Sequence, residues 1–60
     1  MNRLKEIMAQ KRVTQAQLAK ALNVYECEVS RWCSGKFPRL ETALKIARFL
    51  NTSVEYIWGE

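Results

Sequence analysis

Apolar residues recur at helical spacing through most of the chain. Leu4, Ile7 and Met8 fall at i, i+3 and i+4, which predicts a first helix over about Arg3 to Lys11 with Asn2 as its N-cap. Arg3, Lys5 and Glu6 take its outer face, and Lys11 and Arg12 its C-terminal end, where cations suit the helix dipole. Thr14 followed three residues later by Gln17 reads as a capping box, and Val13 before it as a hydrophobic staple onto Leu18. A second helix is therefore predicted over about 15–22, burying Leu18, Ala19 and Leu22. Asn23 stands where the backbone must turn left-handed, and Val24 plugs that turn. Val29, Trp32 and Cys33 give the buried stripe of a third helix, about 26–34, which Gly35 ends as a C′ residue. A fourth helix over about Leu40 to Leu50 has Leu40, Ala43, Leu44, Ala47 and Leu50 on its inner face and Ile46 to one side. Asn51 reads as another left-handed stop, Ser53 as the cap of a short fifth helix over Val54 to Trp58, and Gly59 as its end. The expectation is an all-α fold of five short helices forming one domain over residues 1–60.

Within this pattern the stretch Thr14–Trp32 is distinctive. A small residue, a left-handed residue and a β-branched residue (Ala19, Asn23, Val29) follow one another at spacings of four and six. The small residue lets the third helix cross close over the second, and Val29 and Trp32 point back at it. This is the helix-turn-helix pattern. It predicts that helix 26–34 enters the major groove of double-stranded DNA.

Composition narrows the reading without deciding it. With 60 residues, of which 48% are hydrophobic, the chain supports a packed core, but a marginal one to which dimerisation is a common addition. The net charge of +4 favours a polyanionic partner, although a solvated basic surface has the same balance. There is no His and no Asp, so the usual catalytic triads and His-based metal sites are absent and catalysis has almost no equipment; the expectation is a non-enzyme without cofactor or evident small-molecule ligand. Cys27 and Cys33 lie six residues apart on one helix, a rise of about 9 Å, too far for a disulfide and not a zinc spacing. Free thiols, no apolar run near the ~18 residues that cross a membrane and no signal peptide point to a cytoplasmic protein.

The motifs together resemble the lambda-repressor and Cro superfamily, the Xre-type helix-turn-helix domains. TQAQLAKALNV is similar to the family's T-Q-x-x-L-A-x-x-L-G-V, with Asn23 in place of Gly; VSRWCSGK is similar to I-S-x-x-E-x-G-K, and LETALKIARFLN to L-E-T-L-x-K-I-A-x-x-L-G. Three blocks in their correct order are far more specific than one, and they cover about Leu4 to Trp58. The resemblance implies DNA binding, usually as a homodimer on a palindromic operator. It implies that Gln15, first in the second helix, bonds a phosphate, with Gln17 beside it. Glu26, Cys27 and Arg31 would face base edges, Ser30 and Glu28 the groove walls. Gly35 and Lys36 would lie along the backbone after the third helix. The loop that follows is shorter than the family's by about one residue, and its cations Lys36 and Arg39 are candidate phosphate contacts. Arg31 is the foremost base reader, since Arg to guanine is the commonest specific contact. An ion pair with Glu28 is its structural alternative. Leu50, Val54, Ile57 and Trp58 end the chain with more apolar surface than a small monomer easily hides. Ile57 and Trp58 are therefore the expected dimer interface, the alternative being that Trp58 folds back over the first helix.

Departures from the family pattern sharpen two further expectations. Where the family commonly pairs an Arg in the first helix with a Glu late in the third, this chain has Met8 and Cys33. Losing one partner would strand a buried charge; replacing both leaves an apolar contact, so both sulfurs are expected in the core. Tyr25 occupies the family's Ser/Thr cap position, so the third helix is expected to begin without a side-chain acceptor. Glu26 and Glu28 then either stabilise its first turn or read bases, Glu26 by accepting from cytosine N4. The same two carboxylates keep a second function open: a protein-interaction module, antitoxin- or antirepressor-like, on the same fold.

Overall fold

The computed structural model describes residues 2–59, which form five α-helices and no strand among them. They are α1 (Leu4–Lys11), α2 (Gln15–Leu22), α3 (Glu26–Cys33), α4 (Leu40–Phe49) and α5 (Val54–Trp58). Helices this short do not persist alone in water, so tertiary packing and end-capping must hold them. The core supplies the first. Leu4, Leu18, Val29, Ile46, Leu50 and Ile57 are the largest fully buried side chains, joined by Ile7, Met8, Ala19, Trp32 and Ala47. α3 packs on α2 and α1, α4 on α2 and α5, and α5 on α1.

Capping supplies the second. Asn2 Oδ1 accepts the Leu4 amide at 2.9 Å, although Arg3, not Asn2, occupies the last non-helical position. The same side chain donates to the Trp32 carbonyl at 2.8 Å, tying the start of α1 to the end of α3. Thr14 and Gln17 form the full reciprocal box, 3.0 and 2.8 Å, and Ser53 Oγ accepts the Tyr56 amide at 3.0 Å. Four helix ends reverse through a left-handed residue: Arg12 (φ 58°), Asn23 (φ 59°), Gly35 (φ 120°) and Asn51 (φ 55°). At each, the amide one residue further on reaches back across the turn: Val13 to Met8, Val24 to Ala19, Lys36 to Arg31 and Thr52 to Ala47, at 2.8–3.1 Å. This is the Schellman arrangement. Asn23, Gly35 and Asn51 match the expectation. Arg12 does not, because nothing in an arginine marks a left-handed position.

Other differences have equally local causes. α3 stops at Cys33 and α4 at Phe49, with Ser34 and Leu50 as caps. The buried stripe of α4 is Ala43, Ile46, Ala47 and Leu50. Leu40 and Leu44, expected on that face, are 63% and 46% exposed. A stripe at 43, 46, 47 and 50 is a complete helical face toward α2 and α5; Leu44 lies off it and Leu40 at its outer end. Ile57, expected at a dimer interface, has no exposed surface and is a core residue. Trp58 is half-buried and meets Phe37 edge-on, ring centroids 5.2 Å apart, so it packs on the loop after α3 rather than lying free.

Met8 and Cys33 face each other, Sγ to Sδ 3.9 Å, Met8 buried and Cys33 half-buried. Burial pushes the Cys33 thiol up from its ordinary value, against a smaller opposing pull from the Lys5 ammonium. A thiolate is the reactive form, so Cys33 is a poor nucleophile in the native state. Timed alkylation of the folded protein near pH 8 should therefore modify the exposed Cys27 first, with Cys33 slower by about tenfold or more; rapid modification of Cys33 would contradict its core role. A second expectation concerns Arg12. A non-glycine residue in the left-handed region costs about 1–2 kcal/mol, partly offset by the greater unfolded entropy of glycine. Arg12→Gly should accordingly raise stability by about 0.5–1 kcal/mol in urea unfolding, and a loss of stability would mean that the Arg12 side chain holds more than its backbone suggests.

Candidate nucleic-acid interface

α3 is fixed by its rear. Val29 and Trp32 are buried, and Cys33 meets α1. This leaves Glu26, Cys27, Ser30 and Arg31 as one exposed front, with Glu28 at its half-buried edge. The four front positions are 26, 27, 30 and 31, a single helical stripe about as wide as the one on the opposite side. All three residues expected to face base edges are thus brought together on one surface.

Charge divides that front along its length. At the start stand Glu26 and Glu28; at the end stands Arg31, with Lys36 and Arg39 following in the loop. Arg31, Lys36 and Arg39 line one cleft of about 380 Å³ with Glu28, Phe37 and Thr42. Glu28 turns its carboxylate back to the Tyr25 amide (3.4 Å) rather than pairing with Arg31. Tyr25 itself lends no side-chain acceptor, so α3 has only the returning half of a capping box. The two glutamates therefore differ: Glu28 serves the helix start, and Glu26 projects from the front. Arg39 is the N-cap of α4 but makes no side-chain cap, so the first turn of α4 leaves its amides open beside these cations. Helix-start amides carry partial positive charge, which Glu41 in the same turn opposes.

The other expected backbone contacts lie at the start of α2. Gln15 is its first residue and half-buried; Gln17 is exposed but commits its carbonyl oxygen to the Thr14 amide, leaving its NH2 as the group that can donate outward. Ser30 is exposed and its carbonyl accepts from the Ser34 hydroxyl at 3.0 Å. Two features of this surface escape sequence reasoning. One is the shared cleft, because closeness of residues 28 and 42 depends on how the loop folds. The other is Tyr25, whose ring is 78% exposed, the highest exposure among the large hydrophobic side chains described. Among the described residues no three His, Cys, Asp or Glu side chains gather as metal ligands would.

A family model described as helix-turn-helix matches residues 4–57, nearly the whole chain. The chain belongs to that family, the lambda-repressor and Cro-like helix-turn-helix domains. It is in general terms a DNA-binding helix-turn-helix regulator, from a family that is generally non-enzymatic. No curated protein matches the chain. No helix among the described residues is long and apolar enough to cross a membrane.

The division of labour between the glutamates has a measurable consequence. Glu28→Ala should lower stability by about 0.5–1 kcal/mol, since it removes a cap bond as well as a charge near the helix start. Glu26→Ala should cost less, because only the charge is lost. Urea unfolding of the two variants checks the order, and a larger loss at Glu26 would reverse the assignment.

Proposed function

We propose that the protein is a sequence-specific regulator that binds double-stranded DNA with α3 in the major groove, two copies on a palindromic operator, in the manner of small repressors. The observation that carries this reading is the front of α3, a bare polar stripe held rigidly from behind and ending in the Arg31, Lys36 and Arg39 cluster. A helix docked in the groove needs such a stripe for base edges and cations beside it for phosphates. In this reading Arg31 reads guanine, Glu26 and Cys27 face neighbouring bases, and Gln15, Gln17, Ser30, Lys36 and Arg39 meet the backbone. Pairing of two copies falls to Trp58, with the exposed Leu40 and Leu44 supplying the apolar surface that the buried Ile57 does not.

Selection of bound duplexes from random DNA, followed by sequencing, tests the reading. A palindromic consensus supports sequence-specific binding and pairing together. No enrichment at all would favour a protein partner instead, for which Glu26 and Glu28 at the start of α3 are the supporting feature. On the selected duplex, Arg31→Ala should weaken binding by about 1–3 kcal/mol and relax preference at one base position. Binding should also fall steeply with salt as phosphate neutralisation releases counterions. Wild-type affinity in Arg31→Ala would remove that residue from base reading.

A further inference from the structure

Tyr25 occupies a position that two ordinary stabilising choices would fill differently. At the residue preceding a helix, Ser, Thr, Asp or Asn would accept an amide of the first turn. Tyrosine cannot, and α3 has no side-chain cap from it. An aromatic ring also usually stabilises by burial, yet this one is 78% exposed. Its backbone is nevertheless fully engaged: the carbonyl accepts from Glu28 and Val29 at 3.0 and 3.4 Å, and the amide donates to Glu28 Oε2 at 3.4 Å. The main chain is therefore fixed, in extended conformation (φ −83°, ψ 150°), while the phenol projects from it. A rigid base carrying an exposed amphipathic side chain is a contact device.

The surroundings say what it contacts. The cations of this surface collect at the far end of α3, where the half-buried Glu28 also lines their cleft; at the near end Glu26 projects from the front and repels phosphate. Tyr25 is six residues from Arg31, about 9 Å along a helix axis, so the two stand at opposite ends of the exposed front. A neutral hydroxyl can donate to a phosphate oxygen where a carboxylate cannot, and the ring can lie against the adjoining sugar.

We propose that Tyr25 is a DNA-contacting residue, anchoring the acidic end of α3 by donating its hydroxyl to a backbone phosphate while its ring packs on the sugar. This rests on the DNA-binding reading of α3 given above. It assigns complementary roles to the two ends of the helix: cations hold one, a neutral phenol the other. It also accounts for Glu26 at a front facing phosphate, since the contact beside it carries no charge.

The test measures binding of the duplex most enriched from a random pool, as a function of salt, for the wild type, Tyr25→Phe and Tyr25→Ser, with urea unfolding of each. Tyr25→Phe should weaken binding by about threefold to tenfold through loss of one hydrogen bond. Its slope of log affinity against log salt should stay unchanged, because a neutral donor releases no counterion. Tyr25→Ser should be at least as stable as the wild type, having gained a cap, and yet bind about tenfold to thirtyfold more weakly. A purely structural Tyr25 predicts the opposite, with affinity following stability. Wild-type affinity in both variants would overturn the Tyr25 assignment and leave the DNA reading standing. Failure of the wild type to enrich any duplex would remove both.

Discussion

The close crossing of α2 and α3 is the constraint on which the remainder depends. Each has only eight residues, too few to hold a helix without a partner. What joins them is a reversal of a few residues through Asn23, closed by the Val24 amide on the Ala19 carbonyl at 2.9 Å. Ala19 is buried at that crossing, where a larger side chain would push the helices apart. Once the crossing is set, Val29 and Trp32 have one place to go, and the orientation of the whole exposed stripe of α3 follows. The front of the helix is thus determined by residues that never reach it.

Much of this could be read from the chain because the signals are local. Periodicity located five helices, and the Thr14–Gln17 box, Asn23, Gly35, Asn51 and Ser53 marked their ends within a residue or so. The Met8–Cys33 contact was legible because two positions depart from the family pattern together, which makes sense only if they touch. What was not legible depends on surroundings. Leu40 and Leu44 share the composition of a buried face but fall beyond what α2 and α5 cover. Ile57 and Trp58 are adjacent and similarly apolar, and only the packing of α5 decides that the first is buried and the second meets Phe37. Of the interface, the stripe on α3 followed from helical spacing, while the clustering of Arg31, Lys36 and Arg39 required the path of a loop that no periodicity describes.

The division of charge on α3 bears on how selective such a surface is. Phosphate contacts add affinity for any duplex, and contacts to bases add discrimination. Placing carboxylates at one end of the helix lowers the first term without removing the second. In the DNA-binding reading proposed above, this arrangement favours the ratio of specific to non-specific binding rather than absolute affinity.

The order in which the helices touch has its own consequence. α1 meets α3, α3 meets α2, α2 meets α4, α4 meets α5, and α5 meets α1. Arg3 completes the last step by donating its amide to the Ile57 carbonyl at 2.9 Å and its guanidinium to the Tyr56 carbonyl at 2.9 Å, with its cation over the Tyr56 ring. The five helices therefore form a closed cycle in which every member has two neighbours and none is terminal. In a linear stack an end unit can fray independently; in a cycle, detaching any helix breaks two contacts at once. Partial opening is correspondingly disfavoured, and loss of structure becomes a collective event. A surface carried on such a cycle keeps its shape or loses it together with the rest of the fold.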